Sequence, residues 1–375
     1  MRFIVFAEDW GSHPSSTQHL FSQLAKRHEV HWVNSIGMRK PRLNFIDLKR
    51  VFKKALQLFS GQKKQTNENT SVVKVYKLPV LPWHDIALVR QFNRLVYAHY
   101  LGHINDGSPT VYWLSVPTAV YLSDINKIDK LIYYCGDDFN ALAGVDAKLV
   151  KPFEQQLIAD ADLIFTISAK LALAMPPPKT HMLTHGVSYD LFSAHVEKAV
   201  ELESITAPVI GFYGSINNWL DEALLIKLAS ERPNYKLVLV GDIVTSIDAL
   251  LRFKNVLHIP AVSHHRLVEF SSHWDVSVLP FIDNEQIRAC NPLKLKEYFA
   301  VGKPIVATNF PTVKKYDSFV YVAKTSNEFI EKIDQAISLS HEQQHHLSMV
   351  QSEIAKAHSW QVKANLVEKQ LINLN

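Results

Sequence analysis

The sequence predicts two α/β domains in tandem, each built on a doubly wound parallel sheet. Short continuous apolar runs recur along the chain, and segments with helical spacing separate them. The pattern begins again after a polar stretch at residues 193–207, so it occurs twice. The chain has 375 residues, of which 47% are hydrophobic and 20% charged, enough for two domains with cores of their own.

In the first half, Arg2–Ala7 predicts a strand, and Ser15, Ser16 and Thr17 are candidate N-caps of the helix that follows it. Apolar runs predict further strands at residues 31–34, 72–78, 110–114, 131–135 and 163–167. The second half repeats the alternation, with strands predicted at residues 208–213, 235–240, 256–259, 275–280 and 304–308 and helices at residues 217–233, 263–274 and 292–301. Ligands of such sheets bind at the carboxyl ends of the strands, and between two such domains in the cleft.

Composition excludes several classes of protein. A net charge of +4 is too small to indicate a nucleic-acid partner. Two distant cysteines, Cys135 and Cys290, exclude a zinc ribbon and predict reduced thiols in a cytoplasmic protein. The sequence shows neither a signal peptide nor an apolar run of membrane-spanning length.

The basic residues are concentrated near the N-terminus. Residues 1–100 hold 16 Lys and Arg against 6 Asp and Glu, and residues 39–64 hold nine basic residues and one acidic one. Apolar residues at helical spacing predict an amphipathic helix over residues 45–59. Two interpretations stay open: a surface helix packed on its own domain, or an interfacial helix on an anionic membrane surface.

The segment CNPLKLKEYFAVGKPIVAT, residues 290–308, carries the strongest site signal. Asn291 is the predicted N-cap of a helix, Lys294 lies in its first turn, and Glu297 lies one turn further on. A diphosphate at the helix start would offset the lysine charge, and Glu297 could then accept from ribose hydroxyls. A surface ion pair is the alternative.

Two other segments are weaker candidates. Gly214 and Ser215 in GFYGSINNWLD end a predicted strand and could approach a phosphate, or they could form a plain turn; the absence of GxGxxG argues against a nicotinamide or flavin. Asp137 and Asp138 follow a predicted buried strand and are candidates for a general base, or for an N-cap pair.

Several motifs in order carry a family resemblance. GFYGSINNWLD, LVLVGD, NVLHIP, DVSVLPF and NPLKLKEYFAVGKPIVAT resemble the second domain of GT-B-fold glycosyltransferases related to family 4, the glycosyl transferases group 1, and most of all those of the teichuronic acid biosynthesis type. ADADLIFTIS, THGVSYDLF and the C-terminal HSWQVKANLVEKQL resemble further segments of that superfamily. The resemblance covers most of residues 110–375.

The resemblance implies a fold, a domain plan and an activity. It implies a GT-B fold with an acceptor-binding domain at residues 1–200, a nucleotide-sugar-binding domain at residues 201–355, and a helix at residues 356–375 that crosses back. It implies transfer of a sugar from a nucleotide-diphosphate sugar to a hydroxyl of a glycan or lipid-linked acceptor in bacterial surface polysaccharide synthesis. No cofactor or metal is expected, because a helix dipole and basic side chains neutralise the leaving diphosphate. The location expected is cytoplasmic, with peripheral binding to the inner face of the plasma membrane.

Residue roles follow from the resemblance only where motifs match. Glu297 matches the second Glu of the E-x7-E motif and would hold the ribose, while Ala289 stands where the first Glu is expected. The residues expected to bind the donor are Gly214, Ser215, Pro260, Arg288, Asn291, Lys294, Leu295 and Glu297. One of Asp137 and Asp138 is expected to be the base, and Gly11, His13 and His185 are candidates for the acceptor side or the cleft.

The remaining candidate residues are weaker, and two other functions stay open. The DAD triplet at Asp160 and Asp162 suggests a metal-binding DxD, but its place before a buried strand, as in the family, favours a structural role. Four histidines in polar helical stretches are expected to be solvated: His264, His265, His345 and His346. The alternative functions are a GT-B-type nucleotide-sugar epimerase, which would need no acceptor, and a non-catalytic sugar-nucleotide-binding protein.

Overall fold

The computed structural model describes residues 1–11, 15–39, 72–104, 106–123, 128–139, 142 and 144–374. The basic segment at residues 45–59 and His13 lie outside the described residues. The contacts divide the chain into unit 1, residues 1–184 and 364–375, and unit 2, residues 185–363. The first boundary was expected after residue 200, and the contacts place it 16 residues earlier, after residue 184. The second was expected after residue 355, and the contacts place it eight residues later, after residue 363.

The described part of unit 1 is a parallel sheet with helices. Its strands run in the order β3-β2-β1-β4-β5-β6-β7, and they are β1 Arg2–Phe6, β2 Glu29–Val33, β3 Val73–Tyr76, β4 Thr110–Leu114, β5 Lys130–Cys135, β6 Leu163–Thr166 and β7 Thr180–Met182. Its α-helices, in chain order, are α1 Ser16–Leu24, α2 Ala87–Leu101, α3 Ala147–Asp160 and α4 Ala169–Leu173.

Unit 2 repeats the architecture with six strands in the order β10-β9-β8-β11-β12-β13. They are β8 Val209–Tyr213, β9 Lys236–Val240, β10 Val256–Ile259, β11 Val276–Leu279, β12 Ile305–Thr308 and β13 Tyr321–Ala323. Its α-helices are α5 Tyr189–Phe192, α6 Glu222–Glu231, α7 Asp248–Leu251, α8 Leu267–Ser271, α9 Glu285–Ala289, α10 Leu293–Val301, α11 Ser326–Ile337 and α12 His341–Ala357. The last helix, α13 Trp360–Ile372, begins in unit 2 and ends in unit 1.

All strand pairs in both sheets are parallel, and the central strands are buried along their length. Continuous apolar runs form such strands because helices cover both faces of the sheet. The two doubly wound domains predicted from the sequence are therefore confirmed. Both cysteines are free, and no described helix has the length and apolarity needed to span a bilayer.

Candidate functional site

The loops after β8 and β9 bring two glycines together at the carboxyl edge of the unit 2 sheet. Gly214 follows β8 with φ +129°, and Gly241 follows β9 with φ +145°. The amide of Gly214 donates to the carbonyl of Val240 at 2.8 Å. A Cβ added at Gly241 would lie 2.1 Å from the carbonyl oxygen of Gly214. Only glycine allows both this backbone conformation and this close approach.

The side chain of Lys294 lies across Gly214. A Cβ at Gly214 would lie 2.1 Å from Cε and 2.5 Å from Nζ of Lys294, and Nζ lies 5.7 Å from the centre of the Phe212 ring. Burial lowers the pKa of Lys294, while the charge of Glu297 opposes that shift. The structure thus brings Gly214 and Lys294, two residues expected to bind the donor, into contact.

Glu297 is held by two side chains within unit 2. Its Oε2 accepts from the Tyr213 hydroxyl at 2.7 Å, and its Oε1 lies 2.9 Å from Nε2 of His264. The carboxylate is buried, with Glu297 only 4% exposed. Burial, and then the charge of Glu297, raise the pKa of Tyr213 far above its usual range. The phenol therefore stays protonated and donates.

His264 corrects an expectation. It is not solvated: its side chain is 16% exposed, packs edge-on against Phe192 and meets the carboxylate of Glu297. The polar sequence around it hid this contact, since the partner lies 33 residues away. Tyr213 was likewise missed, although its place at the end of β8, one residue before Gly214, was the available signal.

The helix α10 begins one residue later than expected. Its N-cap is Pro292, which makes no side-chain cap hydrogen bond, and not Asn291, which is buried. A proline cap leaves the amides of the first turn without a side-chain acceptor, which suits an anion. Leu295 is fully buried in the hydrophobic core of unit 2, so only its backbone could face a ligand.

The other residues expected to bind the donor lie in varied surroundings. Arg288 is exposed, and its guanidinium binds the carboxylates of Asp283 at 2.7 Å and Glu285 at 3.4 Å. Ser215 is half-buried beside Gly214. Pro260 is exposed after β10, where Nε2 of His258 lies 2.7 Å from the carbonyl oxygen of Gly241.

In unit 1, acidic side chains gather beyond the carboxyl end of β5. The protein atoms packed around Asp137, and then the charge of Asp138, raise the pKa of Asp137 to about 6, although the side chain itself is exposed to solvent. Burial and the charge of Asp138 also raise the pKa of Glu154, whose carboxylate accepts from the Tyr133 hydroxyl at 2.6 Å. Glu154 lies on α3, and sequence reasoning missed it because nothing local links it to β5.

Glu8, in the loop after β1, lies at the same edge. Burial raises the pKa of Tyr134 far above its usual range, and the charges of Asp137 and Glu8 add to the rise, while a hydrogen bond with Ser16 at the start of α1 opposes it. In that loop the amide of Gly11 donates to Oε1 of Gln18 at 3.0 Å. His185 belongs to unit 2, not to the first domain as expected. Burial, followed by the charges of Lys363 and Lys296, lowers its pKa to about 3.

The DAD triplet has a structural role. Oδ2 of Asp162 accepts from the amide of Leu131 at 2.7 Å, which ties the start of β5 to the strand that follows. Asp160 accepts from Gln156 on its own helix at 3.3 Å. Within the described ranges, no group of three or more His, Cys, Asp or Glu side chains is arranged to hold a metal ion.

Two sequence comparisons match parts of this chain to glycosyltransferases. Residues 196–350 match the family model described as glycosyl transferases group 1. A Bacillus subtilis protein named as a teichuronic acid biosynthesis glycosyltransferase is 27% identical over 290 residues, which cover 70% of this chain and 73% of the relative.

Solved structures agree on the fold over the whole chain. A glycosyltransferase from Rickettsia africae superposes with a TM-score of 0.70 at 12% identity, covering 100% of this chain and 98% of the other. The Anabaena protein HepE in complex with UDP superposes with a TM-score of 0.69 at 12% identity, covering 100% of both chains. This chain is therefore a glycosyltransferase of the GT-B fold, with the glycosyl transferases group 1 domain at residues 196–350.

Proposed function

We propose that unit 2 binds a nucleotide-diphosphate sugar, with Lys294 and the start of α10 facing the diphosphate. The observation that carries the proposal is the placement of Lys294 across Gly214, beside a helix start that has no side-chain cap. Cation, glycine backbone and helix N-terminus together suit a phosphate. Glu297, held by Tyr213 and His264, would accept from the ribose hydroxyls.

We propose a UDP-sugar as the donor. Among the structural neighbours, HepE is described in complex with UDP and glucose, and a protein from E. coli as bound with UDP-2-fluoro glucose. We further propose that no metal takes part, because Lys294 and the helix dipole supply the positive charge that the leaving diphosphate needs.

Thermal unfolding with EDTA present tests the donor site. A UDP-sugar at 100 times its dissociation constant should stabilise unit 2 by about 2.7 kcal/mol, and GDP-, ADP-, CMP- and dTDP-sugars should stabilise it less. The variant Lys294→Met should lose this shift, whereas Lys315→Met, at an exposed lysine of the same unit, should keep it. A shift that needs added Mg²⁺, or that survives Lys294→Met, would contradict the proposal.

The acceptor that we propose is a hydroxyl of a glycan or lipid-linked intermediate in bacterial surface polysaccharide synthesis. The support is the name of the Bacillus subtilis relative, a teichuronic acid biosynthesis glycosyltransferase. The relatives are named as glycosyltransferases, which favours transfer over epimerisation or binding alone. Label from a radioactive UDP-sugar should enter the lipid extract of bacterial membranes. Conversion of the donor to an epimer without membranes would support the epimerase instead.

We propose that the basic segment at residues 45–59 brings the enzyme to an anionic membrane surface. Its support is the sequence: nine basic residues against one acidic within residues 39–64, in a pattern with an apolar face. Each basic residue near such a surface contributes about 1 kcal/mol. Replacement of Lys49, Arg50, Lys53 and Lys54 by Gln should therefore abolish sedimentation with anionic vesicles, while neutral vesicles should bind neither protein. Unchanged sedimentation of the variant would contradict the proposal.

A further inference from the structure

A second group of basic side chains lies inside unit 2, away from Gly214. Lys296 follows Lys294 by two residues on α10, which turns it about 200° around the helix. It is 1% exposed, and Nζ lies 3.9 Å from the centre of the Tyr316 ring and 5.3 Å from that of Phe299. Burial of a charged amine this deeply is energetically costly unless a partner compensates the charge.

Hydrogen bonds join this lysine to a second one. Nζ of Lys296 donates to the Tyr316 hydroxyl oxygen, which lies 3.4 Å from Nε2 of His358. Nδ1 of His358 lies 3.0 Å from Nζ of Lys363, which is 9% exposed. We name Lys296, Tyr316, His358 and Lys363 the basic cluster.

The protons of the basic cluster can be assigned from its contacts. An ammonium can only donate, so Nδ1 of His358 accepts from Lys363 and the imidazole is neutral. Nε2 of His358 then carries the proton and donates it to the Tyr316 oxygen, which also accepts from Lys296. That leaves the Tyr316 hydroxyl proton and further N–H groups of Lys296 as donors. The cluster is a set of donors, and its complement is a ligand that only accepts.

The charges that shift the pKa values of Lys296 and His358 are positive. After burial, the charges of Lys363 and Lys315 lower the pKa of Lys296 to about 7. Burial, and then Lys296 and Lys363, lower the pKa of His358 to about 3. His185 experiences the same two lysines. An anion among these groups would replace this repulsion with attraction.

The basic cluster lies where the chain enters and leaves unit 2. His185 and Lys363 are the first and last residues of unit 2, so both passages of the chain between the units begin here. Val187 pairs with the second passage through the backbone: its amide donates to the carbonyl oxygen of His358 at 3.0 Å, and its own carbonyl oxygen accepts from the amide of Trp360 at 3.1 Å. A ligand bound to the cluster would tie these two segments to α10.

We propose that the basic cluster is a binding site for a small tetrahedral oxyanion of the size of inorganic phosphate, separate from the donor site. The burial of Lys296 and Lys363 favours a small anion over a larger phosphate ester. Their ammonium groups and the Tyr316 hydroxyl supply the donors that phosphate oxygens accept from. This site goes beyond the proposed sugar transfer and does not require it.

Thermal unfolding of the full chain at constant ionic strength tests the proposal, with inorganic phosphate titrated against chloride. The melting temperature should rise with phosphate and saturate. Lys296→Met should weaken the apparent affinity at least tenfold, whereas Lys324→Met, at an exposed lysine of the same unit, and Lys294→Met, in the donor site, should retain it. Glucose 6-phosphate should act at higher concentration than phosphate, since its sugar does not fit a buried site.

Outcomes with the unaltered chain decide the matter even if Lys296→Met fails to fold. Phosphate binding followed by ³¹P NMR should persist when the protein is saturated with UDP. Displacement of phosphate by UDP, or its loss in Lys294→Met but not in Lys296→Met, would assign the anion to the donor site and overturn the proposal. The absence of a saturable response in the unaltered chain would overturn it as well. None of these results depends on whether the chain transfers sugar.

Discussion

We predict that Asp137 is the base that takes a proton from the acceptor hydroxyl. Burial and the charge of Asp138 raise its pKa to about 6, which makes it a stronger base than an ordinary aspartate and still leaves it ionised at neutral pH. Asp138 has a different expected role, because its negative charge raises the pKa of Asp137. The sequence left the two aspartates as equal candidates, and the raised pKa of Asp137 is the reason for choosing it.

We therefore predict that Asp137→Asn lowers kcat by about 10²–10⁴-fold without changing the thermal shift caused by donor. Because the group must be ionised to act, kcat/KM of the unaltered enzyme should fall about tenfold per pH unit below about pH 6.

Asp138→Asn is the matched variant. Removal of its charge takes away one cause of the raised pKa, so the inflection should move to lower pH. If instead Asp138→Asn abolishes turnover and Asp137→Asn does not, Asp138 is the base.

At the scale of elements, Gly302 controls how α10 ends and how α12 packs on it. It is the left-handed C-cap of α10, with φ +76°. A Cβ there would lie 2.3 Å from Oγ and 3.1 Å from Cβ of Ser348 on α12. One residue thus serves both the turn from α10 toward β12 and the contact between two helices.

We predict that Gly302→Ala destabilises the protein by more than the backbone penalty alone. Gly107→Ala is the control, because Gly107 has φ +83° and nothing within 4 Å of the added Cβ. The control should lose about 1–2 kcal/mol of unfolding free energy, the cost of the left-handed conformation. Gly302→Ala should lose at least about 1 kcal/mol more, because α12 must shift. Equal losses in urea denaturation would show that α12 accommodates the methyl group.

The elements also show what could be predicted from the sequence. Thr110–Leu114 and Val256–Ile259 were predicted to the residue, because buried parallel strands are continuous apolar runs between clear breaks. Ser15 was among the predicted N-caps and does cap α1, accepting from the amide of Gln18. The short edge strands Thr180–Met182 and Tyr321–Ala323 were missed, since three residues with little burial carry no such pattern.

The site was predictable only where one segment contains it. Lys294 and Glu297 lie three residues apart, so local spacing placed both on α10. Their partners Gly214, Tyr213 and His264 come from other segments, and single-sequence reasoning has no measure of such contacts. Motif order suggested Gly214, but nothing in the polar stretch around His264 indicated a buried contact.

At the scale of the whole molecule, the chain returns to the unit in which it began. Residues 364–375 belong to unit 1 although they follow unit 2 in sequence. Ala364, Val367 and Leu371 are buried, and Glu368 binds Arg27 at 3.0 Å and His28 at 2.7 Å just after α1. Unit 1 therefore includes a segment that follows unit 2 in the sequence.

We predict that ending the chain at Lys363 destabilises unit 1 although most of its sequence is intact. Burial of Val367 and Leu371 contributes about 1.5–3 kcal/mol each, as an upper estimate. Hydrogen exchange should become faster in α1 and β2, and it should stay unchanged in α11, which lies in unit 2. A chain that ends at Ile372 is the control and should exchange like the full chain, because it keeps every buried residue named here. Unaltered exchange in α1 after the longer deletion would show that residues 364–375 add nothing to the stability of unit 1.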